Sequence, residues 1–184
     1  MVNILGVSGS LRRQSFNTAL LRKAIELMPA ASTLDVRTLH GVPLFNADDE
    51  AEHGLPPAVV ALKAAVAAAD GVILATPEYN NSLPGVFKNG IDWLSRPAAD
   101  IKRVFAGKPV AIIGASAGGF GTVLSQTAWL PVLRVLGATI WTGGRLAVPR
   151  VGGVFDDRSA LHDEAVKQQL RAFLAGFVAS IAKS

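Results

Sequence analysis

The chain predicts a three-layer α/β domain, a doubly wound parallel sheet covered by helices on both faces. Three observations lead there. Val- and Ile-rich runs at residues 2–7, 71–76 and 110–115 are apolar nearly throughout, as strands buried on both faces must be. Helix-compatible stretches alternate with them along the chain. The segments that follow these runs gather Gly, Ser, Pro and Asn, where a strand hands over to a helix.

Weaker strand patterns at residues 34–39 and 138–142 bring the number of strands to five. Helical patterns lie at 17–28, 57–69, 84–95, 121–136 and 159–182. This alternation predicts a single domain over residues 1–184 with strand order 2-1-3-4-5. Segment 43–57 (PLFNADDEAEHGLPP) is acidic and bounded by prolines, and reads as a surface loop or short lid after the second strand.

Composition removes several classes of function. Half the 184 residues are apolar and 17% are charged, which excludes a disordered chain. There is no cysteine, hence no disulfide scaffold, thiolate zinc site or cysteine nucleophile. His40, His53 and His162 lie far apart, without the spacing of metal ligands. Met1 leads directly into a strand pattern, and no apolar run approaches a membrane span, so a soluble, cytoplasmic protein is expected. Net charge is +4 and the isoelectric point about 9.8, but the cations are scattered without interleaved aromatics. That pattern suits attraction of phosphorylated cofactors and argues against nucleic acid.

In a sheet of this order, ligands bind outside the carboxyl ends of the strands, where the winding reverses between strands 1 and 3. The loops that converge there are residues 8–15, 77–83 and 116–121. The first loop carries Gly6, Ser8, Gly9, Ser10, Arg12, Arg13, Gln14, Ser15 and Asn17 ahead of a helix. A helix N-terminus has unpaired N–H groups and partial positive charge, and favours a bound phosphate. Ser8, Ser10, Ser15 and Asn17 offer neutral donors and Arg12 a charge-assisted one. The loop lacks the Lys-Ser/Thr ending of a P-loop and the G-x-G-x-x-G spacing, so it is suited to hold a phosphate rather than transfer it. The second loop, Thr76-Pro77-Glu78-Tyr79-Asn80-Asn81-Ser82, precedes Pro84-Gly85, with proline expected in the first helical turn. Its amides, carboxamides and Tyr79 suit a planar heterocycle with hydrogen-bonding edges.

Together the Gly9-Ser10-Leu11-Arg12…Ser15…Asn17 loop, the Thr76-Pro77-Glu78-Tyr79-Asn80 loop and the Pro84-Gly85…Lys88-Asn89…Asp92-Trp93 helix resemble the NADPH-dependent FMN reductase family, which includes chromate-, quinone- and azo-reducing flavoproteins. The resemblance implies a flavodoxin-like fold, FMN as cofactor and NADPH or NADH as co-substrate. It implies that Ser10, Arg12, Ser15 and Asn17, with Phe16 between the last two, hold the FMN phosphate. Pro77, Glu78, Tyr79 and Asn80 would line the isoalloxazine, partly through backbone groups, and Ser116, Gly118 and Gly119 would approach its other side. It further implies a homodimer or homotetramer, with the helix carrying Phe87, Ile91 and Trp93 either at an interface or in the core. A flavin takes hydride at N5, so no catalytic side chain is assigned; ping-pong turnover with a small-molecule acceptor is expected, without nucleic acid or membrane partners. Arg13, Arg96, Arg145 and Arg150 are the candidates for a nicotinamide 2′-phosphate.

Two other readings compete. Gly114-Ala115-Ser116-Ala117-Gly118 fits G-x-S-x-G after an apolar strand, with Asp156, Asp157 and His162 in triad order downstream. Those three lie within a few residues of one another, whereas a triad draws acid and base from separate loops, and the first loop is left unexplained. The other reading, a flavodoxin-like electron carrier, fits poorly with a basic chain.

Overall fold

Parallel pairing organises the computed structural model, which describes residues 1–156 and 159–182. Strands β1 (Val2–Ser8), β2 (Ser32–Thr38), β3 (Gly71–Ala75) and β4 (Pro109–Ala115) stand in the order β2-β1-β3-β4. The fifth position is shared. β5 (Thr139–Ile140) pairs with the start of β4, and β6 (Leu146–Val148) pairs with its end. The order is thus the flavodoxin-like one, with the reversal between β1 and β3.

A single strand over 138–142 was expected, and the interruption has a physical cause. The Trp141 ring turns toward the last helix and packs 4.9 Å from Phe173 and 5.5 Å from Phe177. The backbone then curls over that ring at Gly143 and Gly144, where a Cβ would stand 2.8 Å from Trp141 atoms. The chain rejoins β4 only at Leu146.

Side chains alternate across the central strands, as period-two geometry requires. Ile4, Ile73, Ala111 and Ile113 face one layer with α1 (Phe16–Leu27) and α7 (Glu164–Ile181). Leu5, Val7, Val72, Leu74 and Val110 face the other, with α3 (Pro57–Ala68), α4 (Gly85–Leu94), α5 (Ile101–Phe105) and α6 (Val123–Val135). Burial on both faces explains why these strands read as nearly continuous apolar runs.

Several helix ends differ from expectation. Pro84 is the N-cap of α4 rather than its first-turn residue. Gly121, at φ +62°, delays the start of α6 to Val123, and α7 starts at Glu164, where the Asp163 side chain accepts the Val166 N–H at 2.8 Å. The acidic segment contains a helix, α2 (Ala47–His53). Asn46 caps it by accepting the Asp48 N–H, and Asp48, Asp49 and Glu50 in its first turn complement the helix dipole. Among the described residues no helix is long and apolar enough to cross a membrane.

Candidate functional site

Register brings the three loops to one rim. Ser8 at the end of β1 aligns with Ala75 of β3, and the Gly9 N–H donates to the Ala75 carbonyl at 2.9 Å. The Thr76 N–H reaches the Ile113 carbonyl at 2.9 Å, and the Ser116 N–H reaches Val148 at 3.0 Å. The segments after β1, β3, β4 and β6 therefore leave the sheet side by side.

In the first loop, Ser15 is the N-cap of α1 and its hydroxyl accepts the Thr18 N–H at 3.2 Å. The first intrahelical bond runs from Ala19 N–H to Ser15 O, which leaves the N–H groups of Phe16 and Asn17 without an intrahelical partner. Ser10 is buried and accepts the Arg12 N–H at 3.3 Å. The Arg12 cation stands 5.7 Å from the Phe16 ring centroid, and Phe16 in turn lies 5.0 Å from Phe155. Arg12, Arg13 and Gln14 border an open depression of about 490 Å³. Free N–H groups, a held guanidinium and open space fit a phosphate. Gly9 is required for the path of this loop: a Cβ there would stand 2.1 Å from the ring of Phe87, which is fully buried.

Asn17 has a structural role that the sequence reading did not assign it. Its side-chain amide donates to the Ala115 carbonyl at 3.0 Å while its Oδ1 accepts the Ala115 N–H at 2.9 Å. Both ends of the carboxamide are engaged, 98 residues away in sequence. The side chain ties the start of α1 to the end of β4, which leaves the backbone N–H and the second amide N–H of Asn17 as its remaining donors.

Glu78 also acts elsewhere than at the rim surface. Its carboxylate accepts the N–H groups of Leu124 and Ser125 at 2.9 and 3.0 Å, capping α6, whose own N-cap Thr122 makes no such bond. The second loop is anchored below by Thr76. Its hydroxyl donates to the Pro77 carbonyl and accepts Trp129 Nε1–H, so the Ser125 hydroxyl at 2.8 Å must be donating to it. Pro77 is buried beside this network. Beyond it, Tyr79 and Ser82 exchange both backbone hydrogen bonds at 3.0 Å around Asn80 and Asn81, at φ +50° and +60°. This is a type I′ turn, which asparagine tolerates. The turn presents Tyr79, half exposed, together with Asn80.

The third loop is closed on itself. The Ser116 hydroxyl donates to the Gly121 carbonyl, and the Gly118 carbonyl accepts N–H groups from Gly121 and Arg150. Gly118 and Gly119 are exposed, and between Gly119 and Gly121 stands Phe120, 74% exposed. Phe120 is the rim residue that sequence reasoning missed, and an aromatic among glycines was the available signal for it.

The G-x-S-x-G reading does not survive this geometry. Among the described residues no histidine is hydrogen-bonded to Ser116, whose proton goes to Gly121. Asp156 accepts the Ala160 N–H within its own turn, the His162 N–H donates to Val154, and Asp157 lies outside the described residues. Gly114 is explained by packing: a Cβ there would stand 2.1 Å from Thr122 Oγ1 and 2.4 Å from the Thr76 carbonyl. Phe87, Ile91 and Trp93 of α4 are buried within the chain at 0, 3 and 1% exposure, so they are core and not interface.

A family model for NADPH-dependent FMN reductases matches residues 2–153. The chain belongs to this family. An NAD(P)H-dependent FMN reductase of Pseudomonas aeruginosa is 41% identical, with 93% of this chain and 92% of the relative aligned. A 2-hydroxy-1,4-benzoquinone reductase of Burkholderia is 34% identical over 97% of this chain and 95% of its own. Among solved structures, the flavoenzyme NAD(P)H:(acceptor) oxidoreductase FerB of Paracoccus denitrificans superposes with TM-score 0.85 at 31% identity, covering 100% of this chain and 98% of that one. This FMN reductase family member is an oxidoreductase, not a carrier, with FMN and NAD(P)H as its redox pair.

Proposed function

We propose that the protein carries hydride equivalents from NAD(P)H through bound FMN to a quinone. The observation that carries this reading is the convergence of three loops at the β1/β3 reversal, with free N–H groups and Arg12 at the phosphate end. Bound FMN supplies the redox chemistry, accepting hydride at N5 and passing electrons on. The chain's own residues hold, orient and expose. Ser10, Ser15, Arg12 and the N–H groups of Phe16 and Asn17 receive the phosphate. The backbone of Pro77–Asn80 (residues 77–80) and of Ser116, Gly118 and Gly119 borders the ring, with no acid or base required. Exposed Tyr79 and Phe120 offer flat apolar contact to an aromatic acceptor. Azo compounds, metal oxyanions and free flavin are further acceptors for the same open site.

Reductant and acceptor meet the same open face in turn. Initial rates with NADPH and 1,4-benzoquinone varied together are therefore expected to give parallel double-reciprocal lines. Intersecting lines would refute the shared face, and NADPH oxidation independent of the quinone would refute the acceptor. We read the working form as a cytoplasmic homodimer or homotetramer. Leu124, Pro131 and Val135, seven and four residues apart, share one exposed face of α6 and support that assembly, which a solution mass checks.

A further inference from the structure

The fold separates the four arginines that are candidates for a 2′-phosphate. Arg96 is engaged: its Nε lies 2.8 Å from the Glu50 carboxylate and its cation 5.7 Å from the Phe45 ring centroid. Arg145 precedes β6 and lines a cavity with Ile112 and Trp141 beside the interrupted edge of the sheet, short of the rim. Arg13 lies next to Arg12 at the phosphate end, and also lines a flank cavity with Arg22 and Lys23 against residues 159–161.

Arg150 is different. It follows β6 on the rim, and its backbone N–H donates to the Gly118 carbonyl at 3.1 Å, while the next residue, Val151, donates to Ser116 at 3.3 Å. One guanidinium nitrogen lies 3.6 Å from where a Cβ of Gly119 would stand. The side chain thus stands over the third loop. The residue is exposed, and no carboxylate among the described residues pairs with it. Its backbone sits at φ +46°, a conformation that costs free energy in any residue but glycine or asparagine. The two loop-to-loop hydrogen bonds hold it there. A solvated, permanently charged fork at this position is suited to phosphate oxygens.

We propose that Arg150 receives the 2′-phosphate of NADPH and so makes NADPH the preferred reductant over NADH. The inference rests on the functional reading above, in which NAD(P)H meets the open face of the ring that the third loop borders. NADH lacks the phosphate, so discrimination falls on affinity and not on the chemical step.

The test uses the FMN-loaded protein with calorimetric titration of adenosine 2′,5′-bisphosphate and adenosine 5′-monophosphate, together with KM and kcat for NADPH and NADH. Arg150→Gly removes the charge and accepts the positive φ without strain, so the loop path is kept. The wild type is expected to bind the bisphosphate about tenfold more tightly than the monophosphate, the scale of a charge-assisted hydrogen bond. Arg150→Gly should erase that preference and raise KM for NADPH by a similar factor, with kcat and KM for NADH unchanged. Arg150→Lys should keep part of the preference, and Arg145→Ala all of it. A preference that persists in Arg150→Gly, or is absent from the wild type, overturns the assignment. Loss of FMN from Arg150→Gly alone also overturns it and moves the residue to the flavin. A wild type that retains FMN and is reduced by NADH keeps the functional reading intact whichever way Arg150 turns out; failure to retain FMN removes both.

Discussion

Gly114→Ala is expected to destabilise the protein by about 3 kcal/mol, the upper end of the cost of overpacking a core. For a domain of this size that lowers the melting temperature by about 6–12 °C. The added methyl would meet Thr122 Oγ1 at 2.1 Å and the backbone carbonyl of Thr76 at 2.4 Å. Thr122 is fully buried and the Thr76 carbonyl belongs to the strand-to-loop junction, so neither can move aside alone. Relief requires β4 to separate from the second loop and from the start of α6, which is where the third loop is held. Loss of FMN retention should accompany the loss of stability. Ser116→Ala, in contrast, removes one half-buried hydrogen bond and should cost about 1 kcal/mol. Equal melting temperatures for wild type and Gly114→Ala, by calorimetry, would mean that β4 is not packed against Thr76 and Thr122.

Asn17→Ala should act on the protein before any cofactor is present. The substitution leaves the N–H and C=O of Ala115 without partners at a buried strand end, each costing about 1–3 kcal/mol. Asn17→Asp keeps the acceptor for the Ala115 N–H but sets a carboxylate against the Ala115 carbonyl. Urea unfolding of the FMN-free protein is expected to show a lower midpoint for both variants, with Asn17→Asp at least as damaging. A residue that acted only as a phosphate donor would weaken FMN retention and leave the FMN-free midpoint where it was. That outcome would return Asn17 to the role suggested by its position in the loop.

These two residues show where sequence reasoning reaches and where it stops. The strands were legible because burial on both faces writes an apolar run directly into the chain, as at Ile73, Leu74 and Ile113. The first loop was legible because its chemistry is local: Ser15 caps the helix it precedes, and Arg12 stands on its neighbour Phe16. The uses of Asn17 and Glu78 were not legible, since their partners lie 98 and about 46 residues away and only the fold brings them near. Gly114 was misleading for the same reason, since its need for close approach to Thr122 imitates a nucleophile motif. The split fifth strand had a local signal in Gly143 and Gly144, but the cause is tertiary, the packing of Trp141 on α7. The acidic helix α2 was masked by its prolines, although Asn46 followed by three acidic residues near its start is a legible N-terminal signature.

The most direct test of the central claim is the visible spectrum of the purified protein after loading with FMN and desalting, alongside Arg12→Ala. The wild type should retain flavin bands, and NADPH should bleach them under anaerobic conditions. Arg12→Ala should hold FMN more weakly by about 1.5–3 kcal/mol, the contribution of a hydrogen bond to a charged group. FMN that washes through the wild type, with NADPH absorbance unchanged on mixing, would contradict the assignment of the three-loop rim as a flavin site.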